Sequence, residues 1–126
     1  MRNPGMSDTY FFDTYAFFEI IRGNPRYESY KDAGIVTTIF NLAELAYGLK
    51  KEMSEQVADE YLRRYWLFAV DVTHEDVKKA TSLKNKRREM SIPDTIGYTV
   101  AQRLRIKFLT GDDDFKDFPN VEFVKK

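Results

Sequence analysis

The chain has 126 residues, and its twenty basic and twenty acidic side chains cancel to a formal charge of zero. At this length about two thirds of the unfolded surface can be buried, enough for one domain without staples. With no cysteine and a single histidine, disulfides, thiolate zinc sites, cysteine nucleophiles and multi-histidine metal centres are excluded. Balanced charge likewise excludes strong whole-surface attraction to nucleic acid, while leaving local patches open.

Met1–Met6 have no periodicity and carry a Pro-Gly turn signal. They are expected to be a disordered or non-native stretch, with Met6 as the natural start and the domain running over 7–126. Thr9–Phe12 is a β-prone run that stops at Asp13. Thr14–Arg22 reads as a helix ended by Gly23-Asn24-Pro25, and a second short helix is predicted over Arg26–Asp32. Ile35–Thr37 is a compact strand. Thr38 caps a helix through Lys51, with Phe40, Ala43, Leu45 and Leu49 on its apolar side. Ser54 opens a further helix in which Val57, Ala58, Tyr61, Leu62 and Tyr65 form a broad apolar face. Leu67–Val70 has the length and composition of a strand. Thr73-His-Glu-Asp76 is spaced as a helix start, with the helix running to Glu89. Ser91-Ile92-Pro93-Asp94 begins another through Leu104. Ile106–Leu109 and Val121–Val124 are the last strands. Alternating strands and helices predict a single α/β domain with a mainly parallel central sheet of about five strands flanked by helices. No apolar run approaches the ~18 residues of a membrane span and no signal-peptide core is present, so a cytoplasmic protein is expected.

In open parallel sheets, ligands gather beyond the C-terminal ends of the strands. Asp13 directly follows the first strand, and Asp112 follows Leu109 by three residues. Asp94 opens the helix that precedes that later strand. Glu44 lies two turns into the helix leaving the second strand, on a stripe with Asn41 and Gly48. Each alone reads as a cap, a first-turn acid, a solvated helix residue or a loop residue. If the strands before Asp13 and Asp112 are neighbours, the two carboxylates repel by about 1 kcal/mol or more. A divalent cation with a preference for oxygen, such as Mg²⁺ or Mn²⁺, removes that cost.

Four segments carry a resemblance as a set: Phe12-Asp13-Thr14, Asn41-Leu-Ala-Glu44-Leu-Ala-Tyr-Gly48, Ile92-Pro-Asp94-Thr-Ile, and Leu109-Thr-Gly-Asp112-Asp-Asp114-Phe115. In order and spacing the chain resembles the PIN-domain nucleases, and among them the VapC toxin group, from about Tyr10 to Val124. Aspartate-nucleophile phosphatases also begin with a strand and an Asp, but the Asp-x-Asp pair they need is missing at Asp13-Thr14-Tyr15. The resemblance implies an endoribonuclease whose Asp13, Glu44, Asp94 and Asp112 hold Mg²⁺ or Mn²⁺. Asp13 and Asp94 are its expected direct or water-mediated ligands, Asp112 completes the site, and Glu44 ligates through water or orients the attacking water. Thr14, Asn41, Thr110 and Asp114 are the supporting candidates.

Lys78, Lys79, Lys84, Lys86, Arg87 and Arg88 concentrate positive charge just before Asp94. The last four are candidates to lead an RNA strand toward the acids, against a plain solvated helix face. His74 is read as an exposed first-turn residue without a catalytic role. The aromatic helix Ser54–Trp66 suits a homodimer or a bound partner helix as well as a core. The resemblance tips this toward dimerisation and a small antitoxin partner. A housekeeping RNA-processing nuclease and an inactive PIN-like binding module are the alternatives.

Overall fold

The computed structural model describes residues 8–126, so the expectation for residues 1–6 lies outside the described residues. Five α-helices, α1 (Thr14–Ile21), α2 (Ile39–Glu52), α3 (Glu55–Trp66), α4 (His74–Lys86) and α5 (Ile92–Leu104), surround four strands. The strands are β1 (Thr9–Phe12), β2 (Gly34–Val36), β3 (Lys107–Thr110) and β4 (Val121–Phe123), all parallel in the order β2-β1-β3-β4. β1 and β3 are therefore neighbours, with Phe11 beside Phe108 and Phe12 beside Leu109.

Strand alternation divides the interior in two. Phe12 and Leu109 point to one face of the sheet, where Phe17 of α1, Leu42, Leu45 and Leu49 of α2, and Ala58 and Tyr65 of α3 cover them. Phe11 and Phe108 point to the other, against Ala80 of α4 and Ile96, Tyr98 and Val100 of α5. The Phe11 and Phe108 rings stack with centroids 5.5 Å apart. Both faces being covered explains why the strands read as continuous apolar runs.

Every helix starts on a side chain that the sequence announces. Asp13 accepts from the Ala16 amide at 2.8 Å, Ser54 from Val57 at 3.1 Å and Ser91 from Asp94 at 3.2 Å. Thr73 and Asp76 form a reciprocal capping box on α4. Thr38 caps α2 through the Asn41 amide. Because the strands are parallel, α1 and α2 begin at the C-terminal edge of the sheet. α5 runs back antiparallel to β3, so its first turn also arrives at that edge.

Five local expectations shift. Leu67–Val70 contributes only a single bridge, Ala69 to Thr37, and Leu67 is 86% exposed. Leu67 is left at the surface, while Phe68, Ala69 and Val70 pack on the cores and pair with Thr37 through the Thr37 amide to the Phe68 carbonyl and the Val70 amide to the Thr37 carbonyl. α2 buries Leu42, Leu45, Ala46 and Leu49, whereas Phe40 and Ala43 are exposed, a rotation of the expected face. In α3, Ala58 and Tyr65 are buried but Val57 is exposed. The segment predicted as a helix over Arg26–Asp32 is a 3₁₀ helix at Pro25–Tyr30, and α4 stops at Lys86 rather than Glu89. Among the described residues no helix is long and apolar enough to cross a membrane.

Candidate active site

The four acids named from sequence come from four separate elements and meet at the C-terminal edge of the sheet. Asp13, at the end of β1, is almost wholly buried. One carboxylate oxygen accepts from the Ala16 amide, and the carboxylate also bonds the buried Thr110 hydroxyl at the end of β3. Burial pushes the Asp13 carboxyl well above the usual range despite those bonds, with the charges of Asp94 and Asp112 adding to the rise. Asp94, half-buried in the first turn of α5, is pushed up to about 6, by burial first and then by Glu44 and Asp112. These mutual effects tie all four acids into one electrostatic unit.

Asp112 follows β3, and its carboxylate accepts from the Asp114 amide at 2.9 Å while its own amide donates to the Thr110 hydroxyl at 3.0 Å. Thr110 is thus a bridge between Asp13 and Asp112. Glu44 accepts from the Thr14 hydroxyl at 2.6 Å, and the same hydroxyl lies 3.3 Å from the Asn41 carbonyl. A hydroxyl has one proton, and the shorter contact assigns it to Glu44, leaving the second Glu44 oxygen for other work.

The supporting candidates divide. Thr14 bonds Glu44 and Thr110 bonds Asp13. Asp114 is half-buried beside Asp112, and burial and then the Asp112 charge raise its carboxyl. Asp113 faces away, paired with Lys125 at 2.7 Å. Asn41 is fully buried, its Oδ1 accepting from Thr38 Oγ1 at 2.7 Å, and its Nδ2 has no hydrogen-bond partner among the described residues. Thr38 was not singled out by the sequence as a site residue; its only signal was its cap position.

The four basic candidates are not equivalent. Lys84 donates to the Arg88 and Met90 carbonyls at 3.3 and 2.7 Å. Arg87 pairs with Glu89 at 2.7 Å, reaches the Asp114 carbonyl and lies 4.8 Å from the Phe118 ring centroid. Lys86 and Arg88 are exposed and have no ion-pair partner among the described residues. His74 is an exposed first-turn residue of α4.

The donor set is all hard oxygen, which fits Mg²⁺ or Mn²⁺ rather than a softer metal. Among the described residues, however, no three acidic or histidine side chains are drawn close enough together to hold an ion as they stand. Each of Asp13, Glu44 and Asp112 accepts a hydrogen bond within the protein.

A PIN-domain family model matches residues 10–121. The chain belongs to the PIN-domain family. Among solved structures, its fold is similar to that of a toxin-antitoxin complex from Klebsiella pneumoniae, at 20% identity and a TM-score of 0.70, covering 93% of this chain and 99% of that one. It is also similar to VapBC2 from Rickettsia felis bound to a DNA fragment from their promoter, at 18% identity and a TM-score of 0.68, covering 94% and 98%. Comparison with curated proteins gave no match.

Proposed function

We propose that this PIN domain is a metal-dependent endoribonuclease that hydrolyses RNA phosphodiester bonds and serves as the toxin of a VapBC-type pair. The observation that carries the reading is the electrostatic unit of Asp13, Glu44, Asp94 and Asp112. Burial and the charges of acids widely separated in sequence raise the carboxyls of Asp13 and Asp94 at the sheet edge where α/β proteins bind ligands.

Asp13 and Asp94 would hold Mg²⁺ or Mn²⁺ directly or through water, with Asp112 completing the set. The bound metal supplies a more acidic water and stabilises charge on the phosphoryl oxygens. Thr110 and the Ala16 amide fix Asp13 so that its orientation is set before substrate arrives. Glu44, with one oxygen held by Thr14, uses the other to accept a proton from the attacking water. That water forms the new P–O bond as the bond to the leaving ribose oxygen breaks. Lys86 and Arg88 are free to neutralise flanking phosphates, while Lys84 and Arg87 brace the loop that carries them.

The exposed apolar side chains Trp66 and Leu67 at the end of α3, 53% and 86% exposed, support a homodimer. The two toxin–antitoxin structures of like fold support a small antitoxin as the physiological partner, acting in the cytoplasm. The test is incubation of mixed-sequence RNA with wild type and Asp94→Asn, with Mn²⁺, with Mg²⁺ and with chelator. Metal-dependent cleavage absent from Asp94→Asn is the expected result. Cutting at the wild-type rate by Asp94→Asn removes the proposed site, and no cutting by a wild type that binds metal turns the reading to the inactive binding module.

A further inference from the structure

Buried polar groups are almost always paired, because an unmet donor costs about 1–3 kcal/mol. Among the described residues one buried side-chain polar atom has no partner in the protein, Nδ2 of Asn41. The residue is held firmly. Thr38 Oγ1 donates to its Oδ1 at 2.7 Å, and its carbonyl approaches the Thr14 hydroxyl that holds Glu44. Its amide lies in the seam between α2 and α5. A Cβ added at Gly97 would stand 3.2 Å from Oδ1, so the α5 backbone closes off that end. Thr38 occupies Oδ1, and Nδ2 is left as the unmet donor.

The ionisable groups nearest along these two helices are acids of the site. Glu44 lies one turn after Asn41 on α2, and Asp94 lies one turn before Gly97 on α5. Among the described residues neither acid belongs to a group close enough to hold an ion.

We infer that Asn41 is a positioning residue of the acid cluster, its Nδ2 donating to a cluster carboxylate when a divalent cation draws that carboxylate inward. The inference rests on the metal-dependent reading above and deepens it. Carboxylates that ligate metals are themselves oriented by outer hydrogen bonds, and losing such a bond costs about 10- to 100-fold in metal affinity. Thr38 bonds only the amide oxygen, so the donor nitrogen is retained when that contact is lost.

Mn²⁺ binding to the whole chain, measured by titration calorimetry and by loss of the free-ion paramagnetic resonance signal, tests this without any RNA. Four proteins are compared: wild type, Asp94→Asn, Asn41→Leu and Thr38→Val. The expected result is Mn²⁺ binding by wild type that Asp94→Asn abolishes and Asn41→Leu weakens at least about tenfold. Thr38→Val, which loses a cap and the same Oδ1 contact but keeps Nδ2, lowers the melting temperature and changes the affinity much less. Unchanged Mn²⁺ affinity in folded Asn41→Leu overturns the inference alone, and so does an equal loss in Thr38→Val, since Asn41 would then act only through the α2 N-terminus. If wild type binds no Mn²⁺, or Asp94→Asn binds it equally well, the metal-site reading falls and takes the inference with it. Should Asn41→Leu not fold, Asn41→Ala is read against the same outcomes.

Discussion

Asp94 sits where two demands conflict. As a first-turn residue of α5 it complements the helix dipole, yet burial and the charges of Glu44 and Asp112 push its carboxyl from 3.8 to about 6. A group raised in the folded state binds more protons there than in the unfolded chain, so its penalty is present above about pH 6 and is relieved as pH falls toward the unfolded value. A shift of this size corresponds to about 3 kcal/mol at neutral pH, and partial solvation at a half-buried position reduces it to about 1–2 kcal/mol. Metal-free protein is therefore expected to melt higher at pH 5 than at pH 7, and Asp94→Asn to flatten that difference while melting several degrees above wild type at pH 7. A calorimetric melting series from pH 5 to 8 checks both. With saturating Mn²⁺ the order reverses: ligand at a hundredfold excess over its dissociation constant stabilises wild type by about 2.7 kcal/mol, and the variant gains none of it. Asp13 carries a second duty, as cap of α1. Asn caps as well as Asp, whereas Ala does not, so Asp13→Asn is expected to keep or raise the melting temperature and Asp13→Ala to lose about 1 kcal/mol relative to Asn, with neither retaining Mn²⁺ stabilisation.

The elements show which local rules are readable in a sequence and which are not. Caps are local, so Asp13, Thr38, Ser54, Thr73 and Ser91 announce five helix starts correctly. Which face of a helix is buried depends on neighbours that the sequence does not display. α2 packs on α1, α3 and α5, and its buried stripe accordingly follows Leu42, Leu45, Ala46 and Leu49 rather than including Phe40. Leu67–Val70 is shortened to a single parallel bridge at Thr37 for a similar reason: nothing local says how far an apolar run pairs along a sheet edge. The acids were legible one by one, but their association rested on the resemblance to a family. The unmet Nδ2 of Asn41 had no sequence signal at all, because satisfaction of a donor is a property of its surroundings. Two element-level predictions follow from packing. Gly97 lets α5 ride on Phe11, and an added Cβ would meet that ring at 2.8 Å, so Gly97→Ala is expected to cost about 1–3 kcal/mol in denaturant unfolding. Arg103 grips both Asp76 oxygens at 3.0 and 3.1 Å while Asp76 closes the α4 capping box. Burial alone would raise that carboxyl, but Arg103 and Thr73 outweigh it and hold it low. Asp76→Ala is expected to lose about 2–3 kcal/mol, with α4 fraying first in hydrogen exchange.

At the scale of the whole molecule, the face around Trp66 and Leu67 stands apart from the acid cluster, so association and chemistry can be separated by mutation. Leu67→Glu is expected to shift sedimentation toward monomer while leaving Mn²⁺ stabilisation intact; a wild type that sediments as monomer at micromolar concentration removes the homodimer from the proposal. Parallel pairing has a further result. β1 and β3 are the central pair of the sheet although the chain between them includes every other helix from α1 to α5. Closing that pair is a long-range event with a large loop-closure cost, so it comes late in folding. Asp13 and Asp112 are carried on the two strands that close last upon each other, and the acids are strangers until then. During synthesis Asp112 is the last of the four site acids to emerge, eighteen residues after Asp94 (112 − 94), and the cluster does not exist before it. Whatever the assembled pocket does to nucleic acid, the ribosome-bound chain is unarmed, and the time needed to complete the sheet is a built-in delay in which a partner can be waiting.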